Sequence, residues 1–115
     1  MRHRKKKKTL DRGKSQRNSL INNQVNDLFF RERIITTLAK ARQTRILSEK
    51  LITFSKKGDL NARRKLLKHV SEASCKKAID VFGSRYKERK GGYTRIIKLK
   101  RRKGDRAQIA VLELV

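Results

Sequence analysis

Catalysis and metal binding need several reactive side chains held within reach of one another, and this chain of 115 residues carries few of them. Its histidines are His3 and His69, its only thiol is Cys75, and its ten acids fall singly, with no DxD, ExxE or HExxH grouping. A lone cysteine closes no intramolecular disulfide, and without a CxxC pair or a Cys/His cluster there is no zinc site. The loop Arg89-Lys90-Gly91-Gly92-Tyr93 has neither GxxxxGK[ST] nor GxGxxG spacing, so it is no nucleotide cradle. The expectation is a protein that is not an enzyme, with no cofactor, no metal and no small-molecule substrate.

The chemistry present in quantity is positive charge. Lys and Arg number 34 against 10 acids, a formal charge of +24 on 13.5 kDa. Self-repulsion on that scale opposes the compact state unless a dense polyanion is close. Nucleic acid is such a partner, because neutralising its phosphates releases condensed counterions. The charge gathers at two places. Residues 1–17 hold nine basic side chains (Arg2, Arg4, Lys5, Lys6, Lys7, Lys8, Arg12, Lys14, Arg17) against Asp11, and residues 85–103 hold ten against Glu88. The first block reads as an arm that orders on a polyanion. Within the second, Gly91 and Gly92 let backbone amides approach phosphate, Lys90 and Arg95 add charge, and Tyr93 either stacks on an unpaired base or packs on a helix. Aromatics are 5% of the chain, with no stacking platform, so shape and phosphate recognition is the expected mode. His3 fits a phosphate contact, and His69 a solvated or RNA-facing surface.

These groups need elements to hold them. Leu20, Ile21, Val25, Leu28 and Phe29 recur at helical spacing and predict a first helix over about residues 15–30. Arg33-Ile34-Ile35-Thr36-Thr37 is short and β-branched, a strand or the extended entry to the next helix. Thr37 suits the N-cap of a second helix, 38–57, with Ile46, Leu47, Leu51 and Phe54 as its apolar stripe and Gly58 as its stop. Asp59 caps a third, with Ala62, Leu66, Leu67 and Val70 inward and Arg63, Arg64, Lys65 and Lys68 outward. A fourth, 72–82, places Cys75, Ala78, Ile79 and Phe82 in the core and ends at a left-handed Gly83. Residues 93–101, with Tyr93, Ile97 and Leu99 on one face, and 108–115, with Ala110, Leu112 and Leu114 on one face, form a hairpin across Arg102-Lys103-Gly104-Asp105-Arg106. A lone hairpin is weak, so it must pack on the helices, with residues 32–36 as a candidate third strand. The expected architecture is α+β: about four helices on a small C-terminal β-hairpin or three-stranded sheet. A basic arm (1–17) precedes a single domain (18–115). The longest apolar runs are too short to span a membrane and no signal-peptide or transit-peptide pattern precedes the basic start, so a bacterial cytoplasm is the expected setting.

One family matches these residues in order along the whole chain. MRHRK at 1–5, Leu10 with Arg12, Arg17 with Leu20, RIITTLAKAR at 33–42, Arg45, GGYTRI at 91–96 and the close RRKGDRAQIAVLELV resemble the bacterial large-subunit ribosomal protein conventionally numbered seventeen. Gln16 stands where a histidine is common before Arg17, and Gln108 replaces a proline often seen before the last strand, which lets that strand begin earlier. The resemblance implies a structural constituent of the large subunit that binds and stabilises its ribosomal RNA near the nascent-peptide exit. It implies contact with neighbouring proteins of that region, those numbered twenty-two and thirty-two, and a cytoplasmic place in the ribosome. On that reading Arg2, His3, Arg4 and Lys5 to Lys8 thread between RNA helices and Arg12 and Arg17 anchor the start of helix one. Arg42, Arg45, Lys90, Gly91, Gly92, Tyr93, Arg95, Arg101, Arg102 and Lys103 supply further RNA contacts. Equal charge would also suit a nucleoid-type DNA-binding protein, which duplex DNA competition would reveal; a membrane surface is disfavoured because the basic arm lacks an apolar face.

Overall fold

The computed structural model describes residues 9–115, so the expectations for Arg2, His3, Arg4, Lys5, Lys6, Lys7 and Lys8 lie outside the described residues. The chain forms α1 (Lys14–Arg31), β1 (Arg33–Thr37), α2 (Leu38–Lys57), α3 (Leu60–Leu67), α4 (Glu72–Lys77), β2 (Thr94–Arg101) and β3 (Gln108–Leu114). After α4 the helix runs on through a π-helical turn, Ala78–Phe82, and a last α-turn, Gly83–Arg85. Side-chain oxygens of Thr37, Asp59 and Ser71 accept from the amides of Lys40, Ala62 and Ser74, which starts α2, α3 and α4 where the sequence places them. Gly58, at φ 65°, ends α2 in the left-handed conformation. Helix α1 begins at Lys14, so Arg17 lies in its first turn and the boundary expected between residues 17 and 18 falls inside the helix.

The three strands pair antiparallel in the order β1-β3-β2, which settles the sheet as three-stranded. In register, Ile34 and Ile96 flank Leu112 on the side that faces α1 and α2, where Leu28 and Ala41 complete a small core with Ala110. A larger core joins α1, α2, α3 and the fourth helix through Val25, Phe29, Leu51, Ile52, Leu66, Cys75 and Phe82. An aromatic chain crosses it: Phe29 meets Phe82 edge-on at 5.4 Å, and Tyr86 lies 5.2 Å from Tyr93. Tyr86, whose hydroxyl donates to the Val115 carbonyl at 2.8 Å, is a core residue hidden in sequence by its basic neighbours.

Several expectations change here. In β2 the inward face carries Thr94 and Ile96, while Ile97 and Leu99 are 42% and 40% exposed, the reverse of the expected face. The cause is polar: the Thr94 amide and hydroxyl both donate to Glu49 of α2, at 3.3 and 2.9 Å, and this one anchored residue fixes the parity of the strand as far as the register shift between Lys98 and Arg101. In α2 the buried face is Ala41, Thr44, Ser48, Leu51, Ile52 and Ser55, and Ile46 is 66% exposed. Small hydroxyl residues serve this central helix because they let neighbours approach closely and satisfy themselves on local acceptors, as Ser48 and Ser55 do on the Arg45 and Ile52 carbonyls. Leu67 is likewise exposed, at the end of the short α3. Gly83 does not end the fourth helix: its φ is −57°, and the helix continues. Glycine is required there by proximity, since a Cβ would lie 3.0 Å from the Ser55 carbonyl oxygen.

Candidate nucleic-acid interface

Helix α2 gathers the basic residues that the sequence left scattered. Its outer face carries Arg42, Arg45, Ile46 and Lys50, spaced by three and four. Against β2, Leu38, Arg42, Arg45, Ile46, Glu49, Ile96 and Lys98 line a groove of about 470 Å³. At the start of α2, a second groove of about 540 Å³ brings Lys40 and Arg42 to Arg102 and Asp105 of the hairpin turn. On the flank toward α1, Arg17, Lys50 and His69 share a third with Ile46. Arg42 belongs to the first two grooves and Ile46 to the first and third, so one strip runs along α2 from the hairpin turn to the first turn of α1.

Ion pairing divides the expected contacts. Arg45 sits 3.6 Å from Glu49, Arg95 2.6 Å from Glu113, and Arg102 2.6 Å from Asp105, whose carboxyl that guanidinium holds well below the usual carboxylate range. Among the described residues no carboxylate pairs with Arg12, Arg17, Arg42, Lys90, Arg101 or Lys103. Arg12 and Arg17 donate instead to the Leu10 and Arg12 carbonyls, at 2.7 and 3.4 Å, which orders the entrance to α1 and leaves both charges uncompensated.

Other expected sites stand apart from the strip. Tyr93 is 2% exposed, packed on Tyr86 with its hydroxyl accepting from Lys56 at 3.1 Å, so its ring has no open face on which a base could stack. Of the two readings left open by the sequence, packing is the one observed. Lys90, Gly91 and Gly92 form an exposed loop that Lys56 fastens to the far end of α2 through the Arg89 carbonyl, about 20 Å of helix from Arg42. Gly92, at φ 61°, needs glycine for that turn. Arg95 lies on the outer face of the sheet, where it and Arg33, at 3.7 Å, share Glu113. Sequence reasoning did not pick out Lys40, Lys50 or Lys98. Lys50 was findable as the position two turns after Arg42 on the same helical face, whereas Lys98 joins only because β2 takes the opposite parity.

Titration is limited. Burial pushes the Cys75 thiol up, as for a core cysteine. Burial, then Lys50 and Lys68, lower His69, which favours its neutral form; its Nδ1 lies 3.0 Å from Asn22 Oδ1. Among the described residues no group of His, Cys, Asp or Glu could hold a metal ion, and no helix is long and apolar enough to cross a membrane.

Residues 20–115 match the family model described as Ribosomal protein L17. The chain is 48% identical over 116 aligned positions to the large ribosomal subunit protein bL17 of Hyphomonas neptunium, covering 100% of this chain and 83% of that one. It is 50% identical over 107 positions to that of Caldanaerobacter subterraneus subsp. tengcongensis (92% and 96% covered). To that of Zymomonas mobilis it is 52% identical over 118 positions (100% and 83%).

Proposed function

We propose a function from one premise: this chain belongs to the ribosomal protein L17 family, and is therefore a structural, non-enzymatic component of the bacterial large ribosomal subunit, in the cytoplasm. Its work there is to bind large-subunit ribosomal RNA and let phosphate backbones approach one another by neutralising them, near the peptide exit. The observation that carries this is the basic strip along α2, which joins Arg102 of the hairpin turn, Arg42, Lys98, Lys50 and Arg17 across three elements distant in sequence. Arg17, Arg42, Lys50 and Lys98, which pair with no carboxylate among the described residues and sit on two helices and a strand, position a phosphate backbone without reading its sequence. Residues 2–8, with six further cations, extend the same chemistry.

The outer face of the sheet supports contact with a neighbouring ribosomal protein. Ile35, Ile97 and Leu99 are exposed there, and Arg33 and Arg95 share the Glu113 carboxylate, so this side offers apolar surface beside engaged arginines.

The test is a binding titration of the purified chain on large-subunit RNA fragments, with duplex DNA as competitor at physiological salt. RNA should win, and Arg42→Ala or Lys98→Ala should weaken binding while reducing the salt slope by about one each. Equal competition by duplex DNA would favour the nucleoid-type alternative.

A further inference from the structure

We infer that the hollow between the start of α1, the middle of α2 and His69 receives one unstacked nucleotide of the bound RNA; this rests on the RNA-binding reading above. The hollow measures about 380 Å³, within the range of small-molecule clefts, roughly 300–1,000 Å³. Arg17 and Lys50 lie on it, and among the described residues neither is paired with a carboxylate, so either can hold a phosphate.

Phosphate alone does not account for the rest of the lining. Asn18, Asn22 and Gln43 bring three carboxamides to one place, and a carboxamide offers a donor and an acceptor side by side, the pattern that a base edge matches. Among the described residues the side chains of Asn18 and Gln43 make no hydrogen bond, so both groups are open to a ligand. Asn22 is oriented: its Oδ1 faces His69 Nδ1 at 3.0 Å. An oxygen there makes Nδ1 the protonated nitrogen of the neutral ring, which leaves Nε2 as an acceptor. Half-buried Ile21 and Leu47, with exposed Ile46 at the mouth, give an apolar surface for the flat face of a base. A base offers its edge and its face together only when it has left the helical stack, which is how single-stranded loops and bulges of RNA are read.

Chemical probing of large-subunit RNA with the full chain, beside a salt-titrated binding assay, tests this. The double variant Asn18→Ala with Gln43→Ala should bind about tenfold more weakly at an unchanged salt slope, and should expose one nucleotide that the native chain protects. Arg42→Ala should lower the slope by about one and leave that nucleotide protected. A double variant with native affinity and native protection overturns the pocket while RNA binding stands, and so does a loss confined to the slope, which marks a plain phosphate contact. A native chain that does not bind RNA fails both readings. Should the double variant melt early, Gln43→Met alone, which removes both polar atoms at similar size and adds no charge, repeats the comparison.

Discussion

Gly83 shows how much a single missing methyl can decide. The fourth helix crosses α2 there so closely that a Cβ would meet the Ser55 carbonyl oxygen at 3.0 Å, and backbone cannot step aside as a flexible side chain would. Gly83→Ala should therefore destabilise the fold, by roughly 1–3 kcal/mol for an overpacked core position, measured by denaturant unfolding; a helix-propensity gain alone would give the opposite sign. His69 makes a second prediction. Burial and two lysines hold its folded value below the ordinary 6.5, so between the two values the unfolded chain binds more protons than the folded one. Its contribution is intact above pH 6.5 and is lost as pH falls through the folded value. Unfolding at a series of pH values should show that slope, and His69→Gln should flatten it. Cys75, buried and with its thiol raised, should react with a disulfide reagent only as fast as the chain opens, a rate that stopped-flow labelling reads directly.

Between elements, polar bonds set registration where apolar packing is permissive. The Thr44 hydroxyl donates to Gln24 at 2.6 Å, and Gln24 in turn donates to the Thr36 hydroxyl at 2.9 Å, tying α2, α1 and β1 in one chain. Thr44→Val keeps the volume but strands a partly buried acceptor, and should cost about 1–3 kcal/mol in thermal or denaturant melts. Glu32 closes the other end. Left-handed at φ 64° past the end of α1, it accepts from Arg85 and, at 3.5 Å, from Lys77, and its backbone carbonyl takes the Leu114 amide at 3.0 Å. The Arg85 hydrogen bond lowers its carboxyl, against a smaller opposing effect of burial. Helix starts were readable from Thr37 and Asp59 because caps are local; the parity of β2 was not, because Glu49, forty-five residues earlier, sets it. Gln108 begins β3 where the absent proline allows, its side-chain carboxamide donating to the Leu99 carbonyl.

Taken whole, the molecule is a scaffold for its own excess charge. Its described cations are mostly exposed, its acids are largely engaged in ion pairs or caps, and RNA phosphates are the counter-charge that the proposed function supplies. Removing residues 2–8 takes away six cations. If all six neutralise phosphate, the salt slope of RNA binding should fall by about 4 to 5. A slope that stays put would confine RNA contact to residues 9–115.

Composition and local pattern pointed to a polyanion partner and determined an α+β plan, the helix starts and the core role of Cys75, since net charge, capping chemistry and hydrophobic period are all properties of neighbouring residues. The blocks from MRHRK to the closing RRKGDRAQIAVLELV carried the family for the same reason. Tertiary structure alone decided that Tyr93 packs instead of stacking, that Ile46 faces outward, and that Arg17, Arg42, Lys98 and Arg102 lie along a single strip. Those outcomes depend on which surfaces meet, and a surface made by three elements has no signature in any one of them.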